Sequence, residues 1–457
     1  MLWRRFEDVL LLAQYREVVG ATLPLTPARA SLPCAATDLA GTAVTRTIAR
    51  RWGPTATIAG CIAVAFCEGF DLQAAGVAAG GIVSELRPTS EQLGTFFSAS
   101  TLGLFAGALL GGRLSDSYGR KRILIGSIVL FGVFSILTAA AHDIQALLWA
   151  RLVTGAGLGG VFPTLLALVS ESSSARRRNA NVALAYSGMP FGGAITSLVS
   201  MLSAPEHWRL IFIAGGVTPL ILAPLLYQVL RESSEFERSS ATAVPAAGTL
   251  GFKTLPKTGG FLAILADGRA APTLLLWISS FLLLLTLYLI LSWLPLLLVG
   301  NGFTKSQAAG VQVAFNVGGG LAALGIGSLL ESRVRNPSIV AAFVSVPLFI
   351  LFLSRSPAQL ALVTLIVFGM GGSVLAAQAF LYATAPRCYP TLIRGVGLGA
   401  AVAVGRMGSI VGPKLGGALK AAGHSSGQLF TEILPLVVLA SVAGLWFAWQ
   451  ASRSKLD

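Results

Sequence analysis

Charge is what this sequence has least of. Asp, Glu, Lys and Arg make up 11% of its 457 residues, against about 25% in a soluble domain. At that composition a water-soluble fold of this length lacks the polar residues to cover its surface. Histidine is almost missing, and His142, His207 and His424 all fall near predicted loops, so mid-span haem or metal ligation has no donors. There are four cysteines and no Cys-x-x-Cys. Cys34 lies in the N-terminal segment and Cys388 in a loop. Cys61 and Cys67, six apart on one helix, face different ways and cannot bridge. A disulfide framework and a zinc site are thereby excluded. No nucleotide-binding loop or catalytic serine motif stands out, so no cofactor and no enzymatic activity are expected.

What the chain has is apolar. Hydrophobic residues reach 54% and the mean hydropathy is +0.76. Nearly uncharged runs recur from Thr55 to Gln450. The chain is read as an all-α integral membrane protein in a lipid bilayer, where a spanning helix needs about 20 residues. Twelve such spans are expected, at about 55–82, 93–112, 123–141, 145–170, 179–203, 209–230, 272–299, 307–330, 338–354, 357–384, 393–419 and 428–450. The 52 glycines fit, because helices packing in lipid favour small residues.

The net charge of +14 is an orientation signal. Arg151, Arg406 and Lys414 fall inside spans; Arg87, Arg209, Lys305, Arg355 and Lys420 fall on one side, and the remaining basic residues opposite. By the positive-inside rule both termini are cytoplasmic, in a multi-pass protein of the cell inner membrane. Nucleic-acid binding is set aside. The expected organisation is a cytoplasmic N-terminal extension at 1–53, an N-terminal six-helix half at 54–230, a cytoplasmic linker at 231–270, a C-terminal six-helix half at 271–451 and a tail at 452–457. The extension is no signal peptide: its apolar run Val9 to Leu12 is short and flanked by Glu7, Asp8 and Glu17. A short surface helix near Trp3 and Leu10 with disorder from Ser31 to Arg51 is one reading of it; a start site further along the chain is the other.

The two halves read as copies. Gly112-Arg113-Leu114-Ser115-Asp116 after the second span answers to Gly327-Ser328-Leu329-Leu330-Glu331 after the eighth. Gly155-Ala156-Gly157 answers to Gly369-Met370-Gly371, and Gly192-Gly193 after Pro190 to Gly416-Gly417 after Pro413. Six plus six helices in repeated halves resemble the major facilitator architecture, with a site between the halves near the midplane.

Gly112-Arg113-Leu114-Ser115-Asp116-Ser117-Tyr118-Gly119-Arg120-Lys121 matches the signature loop of that superfamily in full. Gly112 and Gly119 are expected to permit a tight turn between spans. Asp116 is expected to pair with Arg120 or an arginine across the interface, a latch for one conformation. In the first span, Glu68 and Asp71 lie i, i+3 on one face. A charge at the bilayer centre costs about 2.5–3.5 kcal/mol or more, and burial beside a like charge favours the neutral form. The pair is read as proton-coupling, against the alternative of a fixed ion pair with an arginine of another helix. Arg151 in the fourth span and Arg406 in the eleventh need an anion; they are candidates for a substrate carboxylate held bidentately. Lys414 is read as snorkelling. Phe70, Tyr186, Tyr288, Trp293 and Tyr382 are the aromatic candidates for a cavity. Gly103, Gly107 and Gly111, and likewise Gly408, Gly412 and Gly416, form stripes for close packing. The second stripe fits a GxxxGPxxGG pattern known from the fifth span of drug antiporters, but it lies in the eleventh here and is read as packing.

Glu68-Gly69-Phe70-Asp71-Leu72-Gln73-Ala74-Ala75-Gly76, the signature loop, Arg151 to Gly160, Trp293-Leu294-Pro295, Tyr389-Pro390 with Arg394-Gly395, and Gly405-Arg406-Met407-Gly408 resemble the aromatic acid:proton symporter family, from Thr55 to about Gln450. Glu68 and the runs Leu72 to Gly81 and Ser306 to Val311 look most like its branch of bacterial 3-(3-hydroxyphenyl)propionate transporters. The resemblance implies uptake of an aromatic carboxylate with protons. It implies that Asp71 and Glu68 matter for transport, with Arg394 and Arg406 as important cations. A monomer is expected. Thr164 departs from the family's usual Asn and is a candidate for altered acid preference; the run Arg176 to Asn179 also departs. The rival readings are the same fold moving another organic acid or exporting, and, more remotely, a membrane enzyme or receptor.

Overall fold

The computed structural model describes residues 54–174, 176–230, 232, 264–266, 268–390 and 393–453. The N-terminal extension, with Cys34, and most of the linker lie outside the described residues. Twelve helices are long and apolar enough to cross a membrane, and no strand occurs among the described residues. They are α1 (Pro54–Leu86), α2 (Ser90–Tyr118), α3 (Arg120–Ala139), α4 (Ile144–Ser172), α5 (Arg178–Leu202) and α6 (Trp208–Val229), then α7 (Ala270–Gly300), α8 (Lys305–Glu331), α9 (Arg335–Arg355), α10 (Leu360–Thr384), α11 (Arg394–Ala421) and α12 (Ser426–Arg453). Most run a few residues past the hydropathy-based spans, because a helix continues into the interface after its apolar stretch has ended.

The repeat seen in the sequence is also a repeat of caps and crossings. The second helix of each half opens on the same capping box: Thr89 with Gln92, and Thr304 with Gln307. Each cap satisfies otherwise orphaned backbone donors, worth about 1 kcal/mol. The glycine stripes bring backbones together at equivalent crossings. A Cβ on Gly103 or Gly107 would fall about 2 Å from the Leu152 or Ala156 carbonyl, where α2 meets α4; Gly371 is as close to Phe315 where α10 meets α8. Gly69 and Gly192 do the same for α1 and α5, and Gly408 and Gly412 for α7 and α11. The pattern in the eleventh helix thus packs it onto the seventh.

The signature loop is tighter than its glycines suggest. Gly112 is helical, and α2 continues to Tyr118, so the expected turn at Gly112 is corrected: its backbone follows the helix that Arg113 to Tyr118 prolong beyond the membrane. Gly119 alone makes the turn, at φ +98, a region that side chains avoid. The Lys121 amide donates to Glu232 just after α6, and a Cβ on Gly119 would sit 2.6 Å from that carboxylate. Arg120 pairs with Glu171 at the end of α4, and the Lys121 ammonium lies over the Tyr227 ring. The side chain of Asp116 is outside the described residues. The end of the linker is packed: Ile264 is buried and its carbonyl accepts from Thr273.

Candidate functional site

The first helix carries both mid-span acids, and the fold sends them to different places. Asp71 points into the N-terminal half. Its Oδ2 accepts from Arg151 Nη1 at 2.8 Å and its Oδ1 from Ser135 Oγ at 2.6 Å. Arg151 also donates to the Asp71 carbonyl at 3.1 Å and to Ser100 Oγ at 2.8 Å, and stacks on Phe212. Neither charged side chain has any exposure. This pair joins α1, α2, α3 and α4 in one knot, and it leaves Arg151 no face for a ligand. The expectation of Arg151 as a substrate contact is corrected accordingly.

Glu68, one turn earlier, has neither ion pair nor hydrogen bond among the described residues. It is fully buried and both its oxygens lack a partner. An ionised carboxylate left so is costly, so Glu68 is neutral unless a cation meets it. The cation in electrostatic reach is Arg406 of α11. Arg406 is half-buried, and among the described residues its guanidinium has one hydrogen bond, from Nη1 to the Tyr288 hydroxyl at 3.0 Å. Tyr186 and Tyr382 stand within reach of the same charge. Tyr186 rests edge-on against Phe162 at 5.7 Å, and the Tyr382 hydroxyl lies beside Gly405, where a Cβ would come to 3.1 Å of it. The Gln378 amide, one turn from Tyr382, is a near neighbour of that hydroxyl without hydrogen-bond geometry.

Phe70 and Trp293 do not join this group, and their expected place in it is corrected. Phe70 turns toward Gly215 of α6. Trp293 lies five residues along α7 from Tyr288, on another face. Its indole donates to the Pro413 carbonyl at 2.8 Å, and its ring meets Phe97 edge-on at 5.3 Å. Thr164 is buried and bonds back to Gly160. Arg394 is exposed at the start of α11, and Lys414 is exposed further along it.

The two halves close on each other on the side of the site away from the signature loop. Gln73 of α1 and Asn316 of α8 exchange amide hydrogen bonds, 2.6 Å from Gln73 Nε2 to Asn316 Oδ1 and 2.7 Å in return. Gln312 Nε2 adds a third at 3.3 Å. Ser98 of α2 donates to the Ile410 carbonyl of α11 at 2.7 Å, and Gly94 meets Gly417. Gly193 makes room for the Gln73 amide, which a Cβ would overlap at 1.9 Å. These amides are absent from the sequence-based candidates. The signal for them was uncharged but legible: Gln312 and Asn316 at i, i+4 on one face of an apolar span. Arg406, Tyr186 and Tyr382 each keep partial exposure.

Twelve membrane-length helices in two repeated halves, with charged groups between them at mid-depth, define a secondary transporter of small molecules. Residues 61–413 match the Major Facilitator Superfamily, and the chain belongs to that family. It is 42% identical over 401 residues to the 3-(3-hydroxy-phenyl)propionate transporter of Escherichia coli K12, covering 88% of this chain and 95% of that protein. It is 31% identical to a 4-hydroxybenzoate transporter of Pseudomonas aeruginosa, covering 84% and 90%. Among solved structures, a D-xylose-proton symporter superposes with a TM-score of 0.69 at 16% identity over 84% of this chain and 95% of the other; that likeness is one of fold.

Proposed function

We propose that this transporter takes up an aromatic carboxylate together with a proton, with both termini in the cytoplasm and Arg406 as the carboxylate's counter-ion. One observation carries the reading. Arg406 is a mid-membrane guanidinium that, among the described residues, has a single hydrogen bond and no ion pair. A free cation there costs about 2.5–3.5 kcal/mol or more, and it is surrounded by phenol rings suited to an aromatic ligand. The relatives named for hydroxyphenylpropionate and hydroxybenzoate support the same substrate class.

Glu68 is the better proton carrier of the two acids. Asp71 has its cation and a further bond from Ser135 already, whereas Glu68 has none among the described residues. When the substrate anion leaves Arg406, Glu68 releases its proton and takes the anion's place beside the guanidinium. When Glu68 is protonated again, Arg406 is freed for the next anion. The signature loop, through Gly119, Arg120, Lys121 and Asp116, steadies the arrangement of helix ends in one access state.

Uptake into proteoliposomes with an inward proton gradient tests this, using 3-(3-hydroxyphenyl)propionate, 4-hydroxybenzoate and benzoate beside their amides. The acids accumulate with the gradient and the amides do not. Accumulation indifferent to the gradient rules out proton coupling, and equal transport of acid and amide rules out a carboxylate site.

A further inference from the structure

Arg406 does not stand alone as a donor. Its Nη1 donates to the Tyr288 hydroxyl at 3.0 Å, so the phenol oxygen faces the guanidinium as an acceptor. A tyrosine hydroxyl has one proton of its own to give. Among the described residues that proton has no acceptor: the bond from Arg406 is the hydroxyl's one hydrogen bond. The Tyr288 ring is only 8% exposed and is held in the middle of α7 by buried leucines on both sides along the helix. The ring is fixed, and only the O–H can turn. Donation by a cation to the oxygen also polarises the O–H and makes it a stronger donor. A polarised donor beside a guanidinium, buried and unused, is half of an anion site.

Resting on the reading of Arg406 as the carboxylate's counter-ion, we propose that Tyr288 is the second ligand of the substrate carboxylate, giving its hydroxyl proton to the anion that Arg406 holds. The guanidinium then has two functions. It pairs with one carboxylate oxygen directly, and through its bond to Tyr288 it aims the phenol at the other. Arg and Tyr together read the plane of the carboxylate, which a lone cation does not. Tyr186 and Tyr382, near the same charge but without a bond to it, are left to pack against the substrate ring.

The test compares binding of 3-phenylpropionate and 3-phenylpropionamide to the purified protein by calorimetry. Tyr288→Phe keeps the ring and removes the donor, so the dissociation constant for the acid should rise roughly 10-fold, the loss expected for a hydrogen bond to a charged group. The amide should change less than threefold. Replacing Tyr288 by 3-fluorotyrosine, a more acidic phenol, should tighten the acid and leave the amide unmoved. Wild-type affinity for the acid in Tyr288→Phe overturns the proposal, as does an equal loss for acid and amide, which marks a packing defect. Arg406→Lys separates the two levels. If it binds the acid normally, the carboxylate site itself is misplaced. If it fails while Tyr288→Phe binds normally, only the role of Tyr288 falls.

Discussion

Replacing Asp71 by asparagine is expected to cost the protein its stability first and its transport only through that loss. The side chain is unexposed and holds an equally unexposed Arg151, with Ser135 on its other oxygen. Removing one partner of such a pair leaves an uncompensated charge in the interior, at about 3–5 kcal/mol. Asparagine retains a carbonyl oxygen for Arg151, and the bonds from Arg151 to the Asp71 carbonyl and Ser100 survive, which puts Asp71→Asn at about 3 kcal/mol, the lower end of that range. Asp71→Leu offers nothing in exchange and belongs at the upper end. The double replacement Asp71→Leu with Arg151→Met removes both charges and fills the space with apolar atoms, so it should recover most of the loss, as buried pairs exchanged for hydrophobic residues generally do.

The assay is the apparent melting temperature of detergent-purified protein, followed by fluorescence and read at one fixed heating rate because unfolding of such proteins is irreversible. The order expected is wild type, then the double variant, then Asp71→Asn, then Asp71→Leu. One outcome refutes the reasoning: an Asp71→Asn protein that melts with wild type yet has lost gradient-driven uptake. The pair would then be a moving part of the coupling cycle, and Glu68 would lose its priority as proton carrier.

Glu68→Gln is expected to melt like wild type, since no bond is lost, and to exchange labelled for unlabelled substrate across the membrane while failing to accumulate it against a gradient; accumulation at wild-type level would clear Glu68 of coupling. Gly408→Ala should cut the yield of folded protein several-fold, because its Cβ would meet the Phe281 carbonyl at 2.0 Å, whereas Gly80→Ala, with nothing within 4 Å, should be neutral; fluorescence-detected size exclusion compares the two. Gln73→Leu removes the amide exchange with Asn316 and should open the far end more often, read as faster thiol labelling of a cysteine placed at Gly80 in a background free of the native cysteines; an unchanged rate would show that Phe97, Trp293 and the Gly94–Gly417 contact hold that end by themselves.

The architecture was legible because it is written in hydropathy and repetition, both local properties of the chain. The twelve spans and the pairing of the halves needed no tertiary information. The division of labour inside the site did need it. Glu68 and Asp71 share a face by spacing, yet successive residues turn by about 100° on a helix, so three residues leave them about 60° apart. That angle takes one carboxyl to Arg151, eighty residues away, and leaves the other at the boundary between halves. Five residues on α7 likewise turn Trp293 about 140° away from Tyr288. The sequence placed both arginines in spans and had no means of saying which of them was already occupied. Gly112 misled for a different reason: glycine in a loop motif suggests a turn, but α2 continues through Arg113 to Tyr118, a run with no Gly or Pro to stop it, and Gly119 with its positive φ ends it.

The two buried cations are therefore treated in opposite ways, and the contrast bears on how a cycle is coupled. Arg151 is paid for permanently, by an aspartate within its own half. Arg406 has a tyrosine oxygen and, among the described residues, no anion of its own. A cation at mid-membrane needs an anion at nearly every stage, given a cost of about 2.5–3.5 kcal/mol or more for being without one. On the proposed reading two anions can serve it: the substrate carboxylate and an ionised Glu68. Both approach the same guanidinium, so they exclude each other. Glu68 also belongs to the opposite half of the protein, so its pairing with Arg406 draws the halves together across the site, while substrate on Arg406 leaves Glu68 to hold a proton. Binding, protonation and the approach of the halves then become one event. A proton that failed to reach Glu68 would leave Arg406 blocked, which is why such a site would carry the acid inward only in the company of a proton.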